Sequence, residues 1–285
     1  MTAPDPAELP PERQQDAGYF RFLESDGVDW DACWDVLCGR VAGAIFRGAL
    51  TPEVCERTCR SFWGSPLLAS PNATRSTERA IGPLLLASGS LDAYLTESER
   101  TRTALAALCD GPGRTLPSLL GEWQAYLAGR GIPFRLAEHE GRRAGAYKLR
   151  SRADSKSFGL LPHDDAVHSW MLPHLAGFEI EGVKRVCNAL VCLENGPGGE
   201  LVYWNASFTP DDRQAMGMRP DSYGYPLEAL TGLESITLPI RAGDMYIFDG
   251  ANVHAVAPSG AEDPRRTVAV WITGPLDDGT VLQWA

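Results

Sequence analysis

The sequence has no run of apolar residues long enough to span a bilayer, no Lys/Arg-rich stripe, and no second cysteine pair that would complete a zinc ribbon. The first absence excludes a membrane-spanning helix. The second, with a formal charge of −11, argues against nucleic-acid binding, which depends chiefly on neutralising phosphates. Seven cysteines, an odd number in a chain that opens without an apolar signal segment, predict reduced thiols and a cytoplasmic location. Cys55 and Cys59, four apart on a predicted helix, are read as packing residues. There is no internal repeat, and no feature bears on oligomeric state. A small-molecule partner is the class left standing.

What is present is enough apolar sequence for a packed core: 44% hydrophobic residues over 285 positions. Residues 1–17, rich in Pro, Glu, Asp and Gln, predict a disordered segment. Residues 18–285 are expected to form one domain, in two compositional halves. From 18 to 131 the pattern is mostly helical. Trp30, Cys33, Trp34, Leu37 and Val41 fall at helical spacing. Thr51-Pro52-Glu53 has the form of a helix start, and Leu116 to Leu127 forms another helix ended by Gly129 and Gly131. A short strand is expected within 43–50, and 75–87 has the look of a loop. From 132 onward, short strands divided by Gly, Pro and Asn predict an all-β sandwich or barrel. Two stretches interrupt it, 167–177 and 205–232, and loops of that length in a compact domain are usually functional.

The chemistry centres on Leu161-Pro-His-Asp-Asp-Ala166. His163 and Asp165 are two apart in a strand-like run, and residues i and i+2 of a strand face the same way. With a second His from a distant strand they make the two-His, one-carboxylate facial set of non-haem iron oxygenases, which leaves open metal positions. His254, in Asn252-Val-His-Ala-Val256, is the candidate. His-x-Asp alone occurs by chance in many chains. The ordered series His-x-Asp, Gly199-Glu200-Leu201, the Gly243-Asp244 turn, His254, then Arg265 and Thr267 does not arise so easily.

In that series the chain resembles the Fe(II)/2-oxoglutarate-dependent oxygenases, over about Tyr147 to Trp271. Ile45-Phe-Arg-Gly-Ala-Leu-Thr-Pro52, Gly198-Gly-Glu-Leu-Val202, Thr209-Pro210, Asp263-Pro-Arg-Arg-Thr267 and Gln283-Trp-Ala285 resemble the stand-alone halogenases and oxygenases of hapalindole-type alkaloids. Those halogenases have Gly where this chain has Asp165. The resemblance implies an α+β fold, a double-stranded β-helix (jelly roll) buttressed by the N-terminal helices. It also implies Fe(II) on His163, Asp165 and His254, with 2-oxoglutarate and O2 as cosubstrates.

Arg265 is expected to take the distal carboxylate of 2-oxoglutarate, since a guanidinium donates two parallel hydrogen bonds and stays charged when buried. Thr267 would add a hydroxyl from the same face. Arg266 is the competitor: polarity would send Val268, Val270 and Ile272 to a dry core and leave Arg265 and Thr267 on the cosubstrate face. Tyr147 and Asn188 are either cosubstrate hydrogen-bonders or ordinary interior residues. His168, Trp170, His174, Trp204 and Phe208 either touch substrate or pack. The implied reaction is hydroxylation of an unactivated C–H bond of a small molecule, such as a natural-product intermediate. Halogenation, desaturation or cyclisation within the same superfamily is the alternative, and a cupin-type isomerase or ligand-binding module lies outside it.

Overall fold

The computed structural model describes residues 18–68, 78–153, 158–165, 176–183, 185–218, 224–260 and 265–285. The segment 1–17, expected to be disordered, lies outside them. The first half holds β1 (Phe22–Asp26), α1 (Trp30–Leu37), β2 (Gly43–Arg47), α2 (Pro52–Trp63), β3 (Glu78–Ile81), α3 (Leu91–Leu108) and α4 (Leu116–Gly129). Then come β4 (Phe134–Leu136), β5 (Glu138–His139), β6 (Arg142–Arg143), β7 (Lys148–Ala153), β8 (Leu160–His163), β9 (Cys187–Asn195) and β10 (Leu201–Trp204). The chain closes with α5 (Pro210–Ala215), β11 (Ser235–Leu238), β12 (Met245–Asp249), β13 (His254–Val256), β14 (Arg265–Pro275) and β15 (Val281–Trp284).

All the helices but α2 begin where side chains satisfy the first backbone N–H groups; α2 starts at Thr51 with Pro52 in its first turn and no side-chain cap bond. Asp29 accepts from the amides of Asp31 and Ala32, and Thr115 and Ser118 cap α4 reciprocally. Two elements have no signature in the sequence pattern. In α3 the buried positions include Ser98 and Thr101, which interrupt the apolar period; their hydroxyls donate to the carbonyls of Tyr94 and Glu97, one turn back. β3 falls inside the stretch expected to be loop, and its four residues pair with β7.

Two sheets face each other. The larger runs β1-β2-β12-β9-β14-β15-β4, with β7 also on β14 and β3 on β7; the smaller is β11-β10-β13-β8. Between them, Leu190, Tyr246, Phe248, Val268 and Val270 meet Leu201 and Tyr203. On its other face the larger sheet packs Ala189, Val191, Ile247, Ala269 and Trp271 against Val36, Val54, Phe62, Leu119 and Trp123 of the helices. This is the double-stranded β-helix, with helices covering one face of the larger sheet. Its central strands are therefore buried on both faces, as in sheets covered by helices.

Candidate metal centre and anion pocket

β8 and β13 are neighbours in the smaller sheet, with His163 directly opposite His254. Their rings lie 4.3 Å apart, centroid to centroid. Asp165, just past β8, is held by its own amide, which donates to the Gly250 carbonyl at 2.8 Å. One ligand atom from each of the three residues lies within 4.8 Å of the other two, and all three side chains are buried. His254 Nε2 is 3.2 Å and His163 Nε2 3.8 Å from the Asp165 carboxylate.

The tautomers follow from the backbone. His163 Nδ1–H donates to the Leu161 carbonyl at 2.7 Å and His254 Nδ1–H to the Asn252 carbonyl at 2.9 Å. Since a carbonyl only accepts, each Nε2 is left with a lone pair turned toward Asp165, the state and orientation that metal-binding histidines require. Burial, reinforced by the neighbouring His254, pushes the His163 pKa well below the usual histidine range, so the ring is neutral. The donor set of two imidazoles and one carboxylate fits a divalent transition metal.

Asn188, expected either to hydrogen-bond cosubstrate or simply to pack, donates its amide to Asp165 Oδ2. It fixes the carboxylate's rotation. Gly250 allows this approach: a Cβ there would lie 3.1 Å from the Val186 carbonyl and 3.2 Å from the Asn188 amide nitrogen. The turn holding Gly250 is braced by Asp249, which accepts from the Tyr19 hydroxyl and the Arg185 guanidinium. Asp164, between the two β8-side ligands, points the other way. It accepts from the Tyr225 hydroxyl and from Arg213 at 3.3 Å, and is itself buried.

The expectation that Arg265 and Thr267 face inward is corrected by the strand's orientation. The Arg265 side chain is 49% exposed and lies 3.7 Å from Glu194. Thr267 donates to the same Glu194 carboxylate at 2.8 Å, on the side that Trp63 of α2 also reaches. The polarity argument failed because both faces of β14 are dry: Ala269 and Trp271 pack on helices while Val268 and Val270 fill the interior. Arg266 is the inward residue. It is 7% exposed, its Nη2 donates to the Tyr246 hydroxyl at 2.7 Å, and its Nε has no hydrogen-bond partner. No ion pair to Arg266 occurs among the described residues, so a buried guanidinium is left with one neutral acceptor. It lines a cavity with Arg150, Arg152, Val256, Ser259 and Val268.

Tyr147 is likewise turned away from this cavity, packing among the helix-side residues with its hydroxyl unpaired. The residues after it in β7 are the ones the sequence reading missed. Leu149 packs on the helix side, so Lys148, Arg150 and Arg152 alternate to the interior. Arg152 pairs with Glu78 of β3 at 3.4 Å. Lys148 is 7% exposed, and burial followed by the nearby Arg150 lowers its pKa to about 7 despite Glu78 and Asp165. The alternation of charged and apolar residues over 148–153 was the available signal, and a strand with cations on its inner face runs against the usual rule. Trp204 and Phe208 pack with Tyr225, Leu233 and Val253. His168, Trp170 and His174 lie outside the described residues.

No family model matches the chain. It is similar to the L-isoleucine 3(1)-dioxygenase of Pantoea ananatis, 33% identical over 158 residues that make up 54% of this chain and 52% of that protein. The match thus spans about half the length of the relative. An N-substituted L-amino acid dioxygenase from Burkholderia ambifaria superposes over 90% of this chain and 91% of its own, with TM-score 0.55 at 12% identity. Its complex with α-ketoglutarate gives TM-score 0.50 over the same shares. The chain has the fold of that dioxygenase. Among the described residues no helix is long and apolar enough to cross a membrane.

Proposed function

We propose that the protein is an Fe(II)- and 2-oxoglutarate-dependent dioxygenase that hydroxylates a C–H bond of a free small molecule of the amino-acid type, residues 18–285 acting as one domain. The observation that carries this reading is the buried set His163, Asp165 and His254, with both Nδ1 atoms committed to backbone carbonyls and both Nε2 atoms converging on the carboxylate. The similarity to an L-isoleucine dioxygenase supports the substrate type. It favours an amino acid over the indole alkaloids suggested by the finer sequence resemblance.

In this reading His163 Nε2, His254 Nε2 and one Asp165 oxygen hold the iron, and the Asn188 amide keeps the carboxylate turned toward it. Iron with 2-oxoglutarate and O2 would supply the oxidant that removes hydrogen from carbon, with succinate and CO2 as coproducts. Arg266, inside the barrel and short of a counter-charge, receives the distal carboxylate, and the Tyr246 hydroxyl fixes the guanidinium's plane. Arg150 and Ser259 line the same pocket and complete its polar wall. The apolar residues packed between the two sheets would limit water near the reacting carbon.

Asp165 is also the residue that favours hydroxylation over halogenation. As a third protein ligand it would occupy a metal position that, in the resemblance drawn from the sequence, Gly leaves open for a halide. The test is anaerobic addition of Fe(II) and 2-oxoglutarate, followed in the visible for the charge-transfer band of the chelate, then oxygen and mass spectrometry of succinate and product. No band in the wild type, or a band unchanged in His163→Ala and His254→Ala, would refute the assignment. A cupin-type isomerase would need no 2-oxoglutarate and would turn over without it.

A further inference from the structure

The interior of the barrel carries more positive charge than Glu78, Asp165 and a dicarboxylate cosubstrate can match once a divalent metal is counted with it. Three cations alternate along the inner face of β7 and a fourth, Arg266, faces them from β14, with Arg266 opposite Arg152 and Val270 opposite Lys148. Arg152 has Glu78. In the reading proposed above, the distal carboxylate of 2-oxoglutarate matches Arg266, while the metal's two charges match Asp165 and the other carboxylate. Lys148 and Arg150 remain. Arg150 is only partly buried and can keep water at its guanidinium, but Lys148 is 7% exposed and has no hydrogen bond or ion pair among the described residues. A buried ammonium without an anion is unfavourable, and an anionic ligand at Lys148 would offset that cost.

Position says which ligand. Lys148 lies across β14 from Leu190, one inward step along the sheet from Asn188, which holds Asp165. Lys148 therefore sits toward the metal cluster, and Arg266, six strand positions from the Asn188 level at Ile272, lies farther along the sheet. The backbone beside Lys148 is also tightly packed: just past β3, Gly82, at φ +112°, stands against it, and a Cβ there would fall 2.8 Å from the Lys148 Cβ. Only glycine fits at that conformation and distance.

We propose that Lys148 receives the carboxylate of the substrate, so that the enzyme acts on free acids and rejects the corresponding amides. The assignment rests on the dioxygenase reading and adds to it the residue that recognises substrate. A single point charge on a flexible stem suits a carboxylate that must be placed beside the metal without being chelated by it.

The test uses the full chain, wild type and Lys148→Met, with Lys148→Arg as the charge-retaining variant. Each is given Fe(II) and 2-oxoglutarate without oxygen, the charge-transfer band is titrated, and L-isoleucine, L-leucine, N-acetyl-L-leucine and their amides are then added in a calorimeter. The wild type is expected to bind at least one acid and none of the amides. Lys148→Met should keep the band at the same 2-oxoglutarate concentration and bind the acid roughly thirtyfold more weakly, the range for a lost hydrogen bond to a charged group, with Lys148→Arg recovering part of the loss. Equal binding of acid and amide, no acid binding to the wild type, unchanged binding in Lys148→Met, or a loss of the 2-oxoglutarate band in that variant overturns the assignment while leaving the dioxygenase reading in place. Absence of the band from the wild type removes both.

Discussion

Arg265 and Arg266 are adjacent, equally charged, and separated in role by the pleat of one strand. Arg266→Ala should raise the 2-oxoglutarate concentration needed for half-saturation by about a hundredfold or more, because removing one partner of a buried charge pair costs roughly 3 to 5 kcal/mol. Arg265→Ala, losing a half-exposed pairing with Glu194, should change it less than about threefold. Titration of the charge-transfer band in the two variants checks this, and the opposite order would mean that β14 carries its faces the other way round.

Lys148 offers a test in stability. Its pKa is about 7 in the folded chain, below the ordinary lysine value of 10.5, so between those values the unfolded chain binds more protons and stability rises with pH. The penalty of burying the ammonium is fully present below about pH 7 and disappears as pH climbs through 10.5. Lys148→Met should therefore raise the Tm of the unliganded protein, by roughly 5 °C near pH 6 and progressively less toward pH 10. A Tm gain independent of pH would show that packing, not charge, is responsible.

At the scale of elements, α5 and Tyr225 are fastened beside the metal-bearing strand through a polar cluster on Asp164. Tyr225 donates its hydroxyl to Asp164 and its backbone N–H to the Pro162 carbonyl, while Arg213 of α5 pairs with Asp164 and stacks its guanidinium 4.9 Å from the Tyr225 ring. The Arg213 and Asp164 side chains are 5% and 1% exposed, so neither charge can be left alone without cost. Asp164→Ala should destabilise the protein by about 3 to 5 kcal/mol in urea, and adding Arg213→Met should recover much of that loss. If the double variant is as unstable as the sum of the singles, the two residues act independently. His163 and Asp165 face the metal site, while Asp164 between them, just past the end of β8, turns instead to Tyr225 and Arg213.

For the whole molecule, the proposed ligands bind only the folded state, since the three ligand residues come from β8 and β13, about ninety positions apart in sequence. Fe(II) at about a hundred times its dissociation constant should add roughly 2.7 kcal/mol and several degrees to the Tm, 2-oxoglutarate at the same excess about as much again, and a chelator should remove the gain. His254→Ala should show no such shift. The thiols give an independent check on the packing: of the seven cysteines only Cys38 is exposed, so a thiol reagent should label one site quickly in the native protein and the remainder on unfolding.

Much of this architecture was legible in the sequence because it depends on local pattern. The strand series from 132 onward, the helix starts at Thr51 and Leu116, the strand at 43–47 and the pairing of His163 with Asp165 on one face all follow from periodicity, turn residues and the two-residue pleat. Elements escaped where that signal is weak: α3 buries hydroxyls satisfied by its own backbone, and β1 and β3 are four or five residues long with charged positions. What the sequence by itself determined is which residue types recur at which spacing, and hence a jelly roll with three candidate ligands. Only the tertiary structure decided which face of β14 looks inward, because helices dry its outer face as thoroughly as the opposing sheet dries its inner one. Burial on both sides erases the contrast between polar and apolar faces, so Arg266, Arg150 and Lys148 could be placed in the interior only by the packing of strands distant in sequence.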